Sequence, residues 1–414
     1  MRKHHAVILV AVVLNAAAPA LASGFGFYEQ SAKASGQAGA WVARADDAAA
    51  NWYNPAALVH LSGREVQFGT NWLDVGSDTS FTTVSGSTLD AVSNTEFPSN
   101  FYFSQKINDR VAWGIGLNNP FGLTSEWQDS PLTLSSKRAE LVTFNLNPNI
   151  AFKLGNYWSV AFGIDYLSAE VKEFSHDTVV VLPGPTLIPS TANLKGEGTG
   201  FGYNFALQFK REGFSIAGQY RSAMSPVIRG SLSFTGIPGN ALDSDASAKV
   251  NLPSQTLLGV AYTGKRFDVE IGAYYTAWNT FKSLVVDTPN PLTTSTITQN
   301  WAATWSYRLG VAVRLDAALQ HELRFGGVLD DSPVPVTYLR PSIPDSDRIG
   351  YSLGYGWQGK RFGVDIYVMQ LDFDDATAAG NPPSAPSGIN AEGVVNGTYT
   401  SSILLVGGSF KYRF

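Results

Sequence analysis

The sequence predicts an all-β chain: a 14-stranded antiparallel transmembrane β-barrel with an N-terminal hatch inside the lumen. Three observations point to the barrel. Apolar and polar residues alternate over long stretches, an export leader opens the chain, and no later run reaches the 18 apolar residues of a spanning helix. In hydrocarbon a backbone must satisfy every N–H and C=O internally, which leaves helices or closed barrels, and the helices are excluded. Composition agrees. The 414 residues include 24 Phe, 17 Tyr, 10 Trp and 40 Gly but are only 15% charged, against about 25% in soluble domains.

The leader is read over residues 1–22. Arg2 and Lys3 form a basic start, Ala6–Leu14 an apolar core, and Ala20-Leu21-Ala22 a small-residue end, with cleavage after Ala22 or Ser23. Removing Arg2 and Lys3 takes Lys+Arg from 29 to 27 against 34 Asp+Glu, a mature net charge of about −7. Such a chain is a poor nucleic-acid binder. It has no Cys, so an exported fold must rely on hydrogen bonds and packing.

Residues 23–63 do not alternate. They are rich in Ala and Gly and break at Asn54-Pro55. A barrel of this size has a lumen too wide for side chains to fill, so the segment is either a plug within it or a periplasmic tail, and composition does not choose.

Residues 64–414 read as the barrel. Phe144, Leu146, Ile150 and Phe152 alternate with Asn145, Asn147, Asn149 and Lys153. Phe267, Val269 and Ile271 alternate with Asp268, Glu270 and Gly272, and Phe410, Tyr412 and Phe414 with Ser409, Lys411 and Arg413. One face suits lipid and the other a lumen. Tight links at Asn108-Asp109, Gly155-Asn156, Glu212-Gly213, Gly264-Lys265 and Gly359-Lys360 alternate with long polar connections near 75–96, 119–138, 175–196, 236–247, 287–296, 331–345 and 375–397. Short periplasmic turns opposite long external loops are the expected asymmetry. The fourteen segments between them include 110–118, 139–155, 213–235, 248–263, 266–286 and 297–316. An even count puts both ends on the periplasmic side.

Gly24-Phe25-Gly26-Phe27-Tyr28-Glu29-Gln30-Ser31-Ala32, then Ala45-Asp46-Asp47-Ala48 and Asn54-Pro55-Ala56, resembles the N-terminus of the FadL family of outer-membrane transporters. These carry long-chain fatty acids and, in related channels, aromatic hydrocarbons. Further resemblances follow in order at Asn251-Leu252-Pro253, Ala273–Trp278, Tyr307-Arg308, Asp330–Pro335 and Ser342–Arg348. The resemblance implies a plug over residues 23–63, with Asn54, Pro55 and Ala56 abutting a kink in the third strand, where Gly114 and Gly116 allow a bend. It implies passive capture of a hydrophobic small molecule, a pocket touched by Phe25, Phe27 and Tyr28, and release sideways into the membrane. The loop Asn119–Lys137, with Phe121, Leu123 and Trp127, would make first contact, although Trp127 also suits an interfacial belt. A cation expected a few residues before Tyr307-Arg308 is missing, so Arg308 stands in for a carboxylate partner or pairs inside the lumen. Implied partners are the hydrophobic solute, outer-membrane lipid and lipopolysaccharide, for a chain working as a monomer without cofactor or metal.

Rival functions find little support. After the leader the histidines are His60, His176 and His321. Gly350-Tyr351-Ser352-Leu353-Gly354 matches G-x-S-x-G but lies within a strand, without the helix a nucleophile elbow needs. Gly259–Lys265 and Gly354–Lys360 match G-x₄-G-K, but Arg266 and Arg361 stand where a P-loop needs Ser or Thr. The chain therefore reads as no enzyme. A general porin for hydrophilic solutes remains the alternative, and a structural or adhesive role another. An internal plug is what separates the transporter from the porin.

Overall fold

The computed structural model describes residues 24–182, 186–291, 293–380, 389–390 and 393–414. The leader, Ser23 and the Asn381-Pro and Ala385-Pro pairs of the last loop lie outside them.

Fourteen strands close into a cylinder: β1 Arg64–Val75, β2 Ser99–Asn108, β3 Val111–Asn118, β4 Arg138–Leu154, β5 Trp158–Leu182, β6 Thr186–Arg211, β7 Phe214–Arg221, β8 Gln255–Thr263, β9 Phe267–Thr276, β10 Thr304–Arg314, β11 His321–Asp330, β12 Arg348–Gln358, β13 Phe362–Phe373 and β14 Gly397–Arg413. Each pairs antiparallel with the next, and β14 returns to β1 in the register Glu65↔Arg413 to Leu73↔Leu405. Closure removes every edge that lipid would leave unbonded. The alternation fixes which face is which. Phe410 is 47% exposed while Lys411, its neighbour, is 1% exposed. Phe162, Ile164, Leu309 and Ile366 likewise face outward. Turn chemistry supports the hairpins: Glu212 and Gly213 both take positive φ, 50° and 85°, as a two-residue turn matched to strand twist demands.

Five segments differ from the sequence reading in ways that matter to the site. Residues 175–182 and 186–196 are strand rather than loop, since β5 and β6 stay paired from Ser175↔Asn193 out to Leu182↔Thr186, helped by β-branched residues such as Val179 and Val180. The segment 213–235 breaks after Arg221; residues 227–234 leave the cylinder to pair with the outer part of β6 and with 244–249. The segment 248–263 enters the barrel only at Gln255, beyond Pro253. The segments 266–286 and 297–316 shorten to β9 and β10, because the chain turns at Trp278–Thr280. Both ladders are re-formed outside the barrel by 283–287 with 295–298.

Apart from the exposed Asp46, residues 25–59 are buried or half-buried and bond to inward-facing side chains around the cylinder. The Tyr102 hydroxyl donates to Gln30 O (3.0 Å) and Asn71 Nδ2 to Glu29 O (3.0 Å). Ala38 N–H donates to Ser352 Oγ (2.8 Å), and Ser215 Oγ to Ala43 O (2.9 Å). Glu270 accepts from three successive amides: Val42, Ala43 at 2.8 Å and Arg44 at 3.0 Å. Ion pairs complete the seat. Lys411 Nζ lies 2.7 Å from Asp47 and 2.8 Å from Asp365; Arg324 lies 2.7 Å from Asp365; Arg44 lies 2.7 Å from Asp268. Polar strand faces that would otherwise line water are thus covered by the chain's own leading segment, and buried charges persist there because they are ion-paired or, like Glu270, hydrogen-bonded.

Candidate functional site

The tip of the leading segment faces the external side. Phe27 N–H donates to Pro120 O (2.9 Å) and Gly122 N–H to Phe25 O (3.0 Å), so the tip and the loop after β3 hold each other by backbone bonds. Around Phe25 stands an aromatic box: Trp278 at 4.6 Å, Trp301 at 5.6 Å, Phe281 at 6.0 Å and Phe121 at 6.1 Å between ring centroids, all edge-on. Edge-to-face pairs contribute about 0.5–1.5 kcal/mol each beyond area burial. Gly24 takes φ +62°, and a side chain there would strike Trp301 and Trp278; only glycine lets the backbone pass so close.

Two cavities meet at this box. The first, about 570 Å³, runs between the tip and β1, β4, β13 and β14, lined by Phe27, Leu73, Phe97, Phe121, Phe373 and Leu405. The second, about 850 Å³, lies under the external extensions, lined by Val171, Phe174, Leu194, Ile228, Leu232 and Leu284. Phe25, Leu123, Leu141 and Ile343 line both and form the wall between them. These volumes fall in the usual range of small-molecule sites, about 300–1,000 Å³, as does the apolar lining with few polar groups.

The polar groups are specific. In the first cavity Asp345 accepts from Gly24 N–H (3.1 Å) and Ser332 Oγ (3.0 Å). Burial pushes its carboxyl up to about 7, against the lowering influence of nearby Arg348. Arg348 also lines this cavity, but its Nη2 and Nε both donate to one oxygen of Asp330, at 2.7 and 3.0 Å. The second cavity carries Arg340, whose Nη1 donates to Gln299 Oε1 (3.3 Å), and His176.

The structure sorts the residues singled out in the sequence. Phe25, Phe27, Phe121, Leu123 and Trp127 all line the first cavity. Trp127 is buried, donates from Nε1 to Pro341 O (2.9 Å) and sits edge-on to Tyr399, so it is no belt residue. Tyr28 and Arg308 line neither cavity. Tyr28 is bonded to Thr276. Arg308 donates to Ala38 O (2.8 Å) and Ser306 Oγ (3.0 Å), its guanidinium 4.4 Å from the Tyr274 ring centre. Arg308 faces the lumen, where these bonds hold it against the leading segment. Asn54 bonds within the leading segment. Its Nδ2 donates to Val42 O (2.9 Å) and its Oδ1 caps Ala56 N–H (3.2 Å), starting the short 3₁₀ turn Pro55–His60. The neighbours of Gly114 and Gly116 are instead Asn51 and Leu58. β3 does not lose its partners there: it pairs with β2 and with β4 through both glycines. The sequence reading assigned no role to Trp278, Trp301, Ile343, Asp345 or Arg348, though each lay in or beside a quoted motif.

A family model described as "Outer membrane protein transport protein (OMPP1/FadL/TodX)" matches residues 13–414. The long-chain fatty acid transport protein of Escherichia coli O6:H1 is 26% identical over 347 residues, 75% of this chain and 77% of that one. Its Salmonella typhi counterpart is 28% identical over 359 residues, 79% and 82% of the two chains. The solved structure of a Pseudomonas aeruginosa FadL homologue superposes with a TM-score of 0.82 at 18% identity, covering 95% of this chain and 100% of that one. The P. putida toluene transporter TodX superposes with a TM-score of 0.74 at 13% identity, covering 95% and 99%.

Proposed function

Because the chain belongs to the OMPP1/FadL/TodX family of outer membrane transport proteins, we propose that it is a passive channel for long-chain fatty acids or related lipophilic molecules. The observation that carries this is the pair of apolar cavities joined at Phe25 above a lumen filled by residues 25–59. A filled lumen suits a solute that travels by apolar burial, worth about 25 cal/mol per Å², and obstructs one that needs water. The solute meets the external extensions and loops, with lipopolysaccharide and lipid around it, and enters the larger cavity. It passes the Phe25 wall when the tip shifts, and leaves sideways where the plug abuts the barrel wall near Gly114 and Gly116. A single chain holds both cavities, so a monomer suffices. The scheme requires no catalysis.

Arg340 in the second cavity favours a carboxylate-headed solute, and relatives are named for long-chain fatty acid transport. Aromatic hydrocarbons are the second reading, favoured by the box around Phe25 and by the ion pairing of Arg348. The test is a panel of fatty acids, alkanes and aromatics, measured for binding by tryptophan fluorescence and for uptake by cells that depend on this protein. Saturable binding and uptake of a lipophilic class support the reading. Uptake of small sugars with no lipophilic binding overturns it in favour of a porin.

A further inference from the structure

We infer that the first cavity takes an acidic head group only together with a proton, shared between that head group and Asp345, so that a permanently anionic amphiphile is turned back. This rests on the transport reading above and names the form in which its solute travels.

The charged groups of this cavity do not balance. Among the described residues Glu29, Glu96, Glu126 and Asp345 line it against two cations, Lys172 and Arg348. Both cations are engaged with further carboxylates. Lys172 Nζ lies 2.8 Å from Glu140, and Arg348 holds Asp330 at 2.7 Å. Glu126 meets Arg138, which also serves Glu140 at 2.8 Å. Glu96 accepts from Thr124 Oγ1 (2.8 Å) and the buried Glu29 from the Tyr28 amide (3.1 Å), both uncharged donors. A carboxylate entering this apolar space adds a like charge where salt and water screen little.

Asp345 is placed to relieve that repulsion. It follows Ile343 and Pro344, and Ile343 belongs to the wall between the two cavities, so Asp345 stands beside the passage from the second to the first. Its side chain is buried, and both of its hydrogen bonds, from Gly24 N–H and Ser332 Oγ, go to the same oxygen, Oδ2. Oδ1 takes no hydrogen bond among the described residues. The charged groups that act on Asp345 are Arg348, already spent on Asp330, and Asp330 itself. With the carboxyl held at about 7, Asp345 is protonated about as often as not at neutral pH. A carboxylic acid donates its O–H to Oδ1, or accepts one when Asp345 holds the proton. With one proton between them the two groups bond; with none they repel. The proton is drawn from external water and travels on with the acid, so nothing is consumed.

The test uses the full chain in cells and reads label retained after an albumin wash, less that of cells lacking the chain. Three probes share one chain length: oleate, oleyl alcohol and an alkyl sulfonate, which stays ionised throughout. For the wild type, oleate uptake is expected to fall about tenfold per pH unit above about pH 7, as one linked proton requires. Alcohol uptake is expected to stay level, and the sulfonate to remain outside at about pH 8. Asp345→Asn keeps an oxygen for Gly24 and Ser332 but cannot hold the proton or the charge, and its oleate profile is expected to be level. Level oleate uptake in the wild type, or sulfonate uptake equal to that of oleate at about pH 8, overturns the proposal. So does an Asp345→Asn protein that lowers oleate and alcohol uptake alike at every pH, the mark of a merely structural role. If neither oleate nor the alcohol enters wild-type cells beyond those lacking the chain, the transport reading itself falls.

Discussion

Replacing Lys411 with Met should unseat the plug while leaving the cylinder intact. Lys411 is 1% exposed, and its Nζ lies 2.7 Å from Asp47 of the plug and 2.8 Å from Asp365 of β13. Met matches its length and its backbone bonds to β1 and β13 persist, so the barrel keeps its ladders. Asp365 retains Arg324 at 2.7 Å. Asp47 retains only an amide bond, from Ala49 N–H at 3.0 Å, and becomes a buried carboxylate without a cation. Stranding one member of a buried pair costs about 3–5 kcal/mol. That moves the balance between seated and unseated plug by about two to three and a half powers of ten. Liposome swelling in a small sugar reads the water path that results, and heat-modified migration on gels reads barrel assembly. A correctly assembled Lys411→Met protein as impermeable as wild type would refute the reasoning, since the ion pair would then not be what holds the plug.

Other expectations follow from the same geometry. Phe25→Ala removes four edge-on contacts at a buried site, a loss of about 3–5 kcal/mol; amides of residues 24–27 should exchange faster with solvent while those of the strands do not change. Asn54→Ala deletes the cap on Ala56 and the bond to Val42, about 0.5–2 kcal/mol for the cap alone, and should lower uptake without lowering assembly. Arg340→Gln should weaken binding of a fatty acid and leave toluene binding unchanged, measured by competition fluorescence. The Asp345 carboxyl stands at about 7 in the folded protein, above the unfolded value of about 3.9. Between those values the folded state holds a proton that the unfolded chain has lost, so this group makes stability fall as pH rises from about 4 to about 7, with no further loss above. Oleate affinity should fall over the upper part of that range as the cavity gains negative charge, and Asp345→Asn should flatten the profile.

The cylinder was legible because period-2 alternation is imposed residue by residue by lipid on one side. Phe410 and Lys411 could not exchange faces without burying a charge in hydrocarbon. Strand ends were less legible. Residues 175–196 look polar enough for a loop, yet two long β-branched arms pair with each other beyond the membrane, where polarity no longer marks the end of a strand. Residues 23–63 carry no periodicity, since a plug touches walls on every side; Glu270, Arg44 and Lys411 define its seat only once the chain is closed. Parity points Arg308 into the lumen but says nothing about the Ala38 carbonyl and the Tyr274 ring that meet it there. Asn51 escaped notice for a similar reason, since it meets Gly114 and Gly116 only once the chain is closed.

If this barrel passes lipophilic solutes and not water, one preparation in a planar bilayer will show it, with current and transfer of a fluorescent fatty acid recorded together. Near-silence in current is expected while the fatty acid moves saturably into the membrane. A steady conductance that scales with salt, with no saturable fatty-acid transfer, would contradict it.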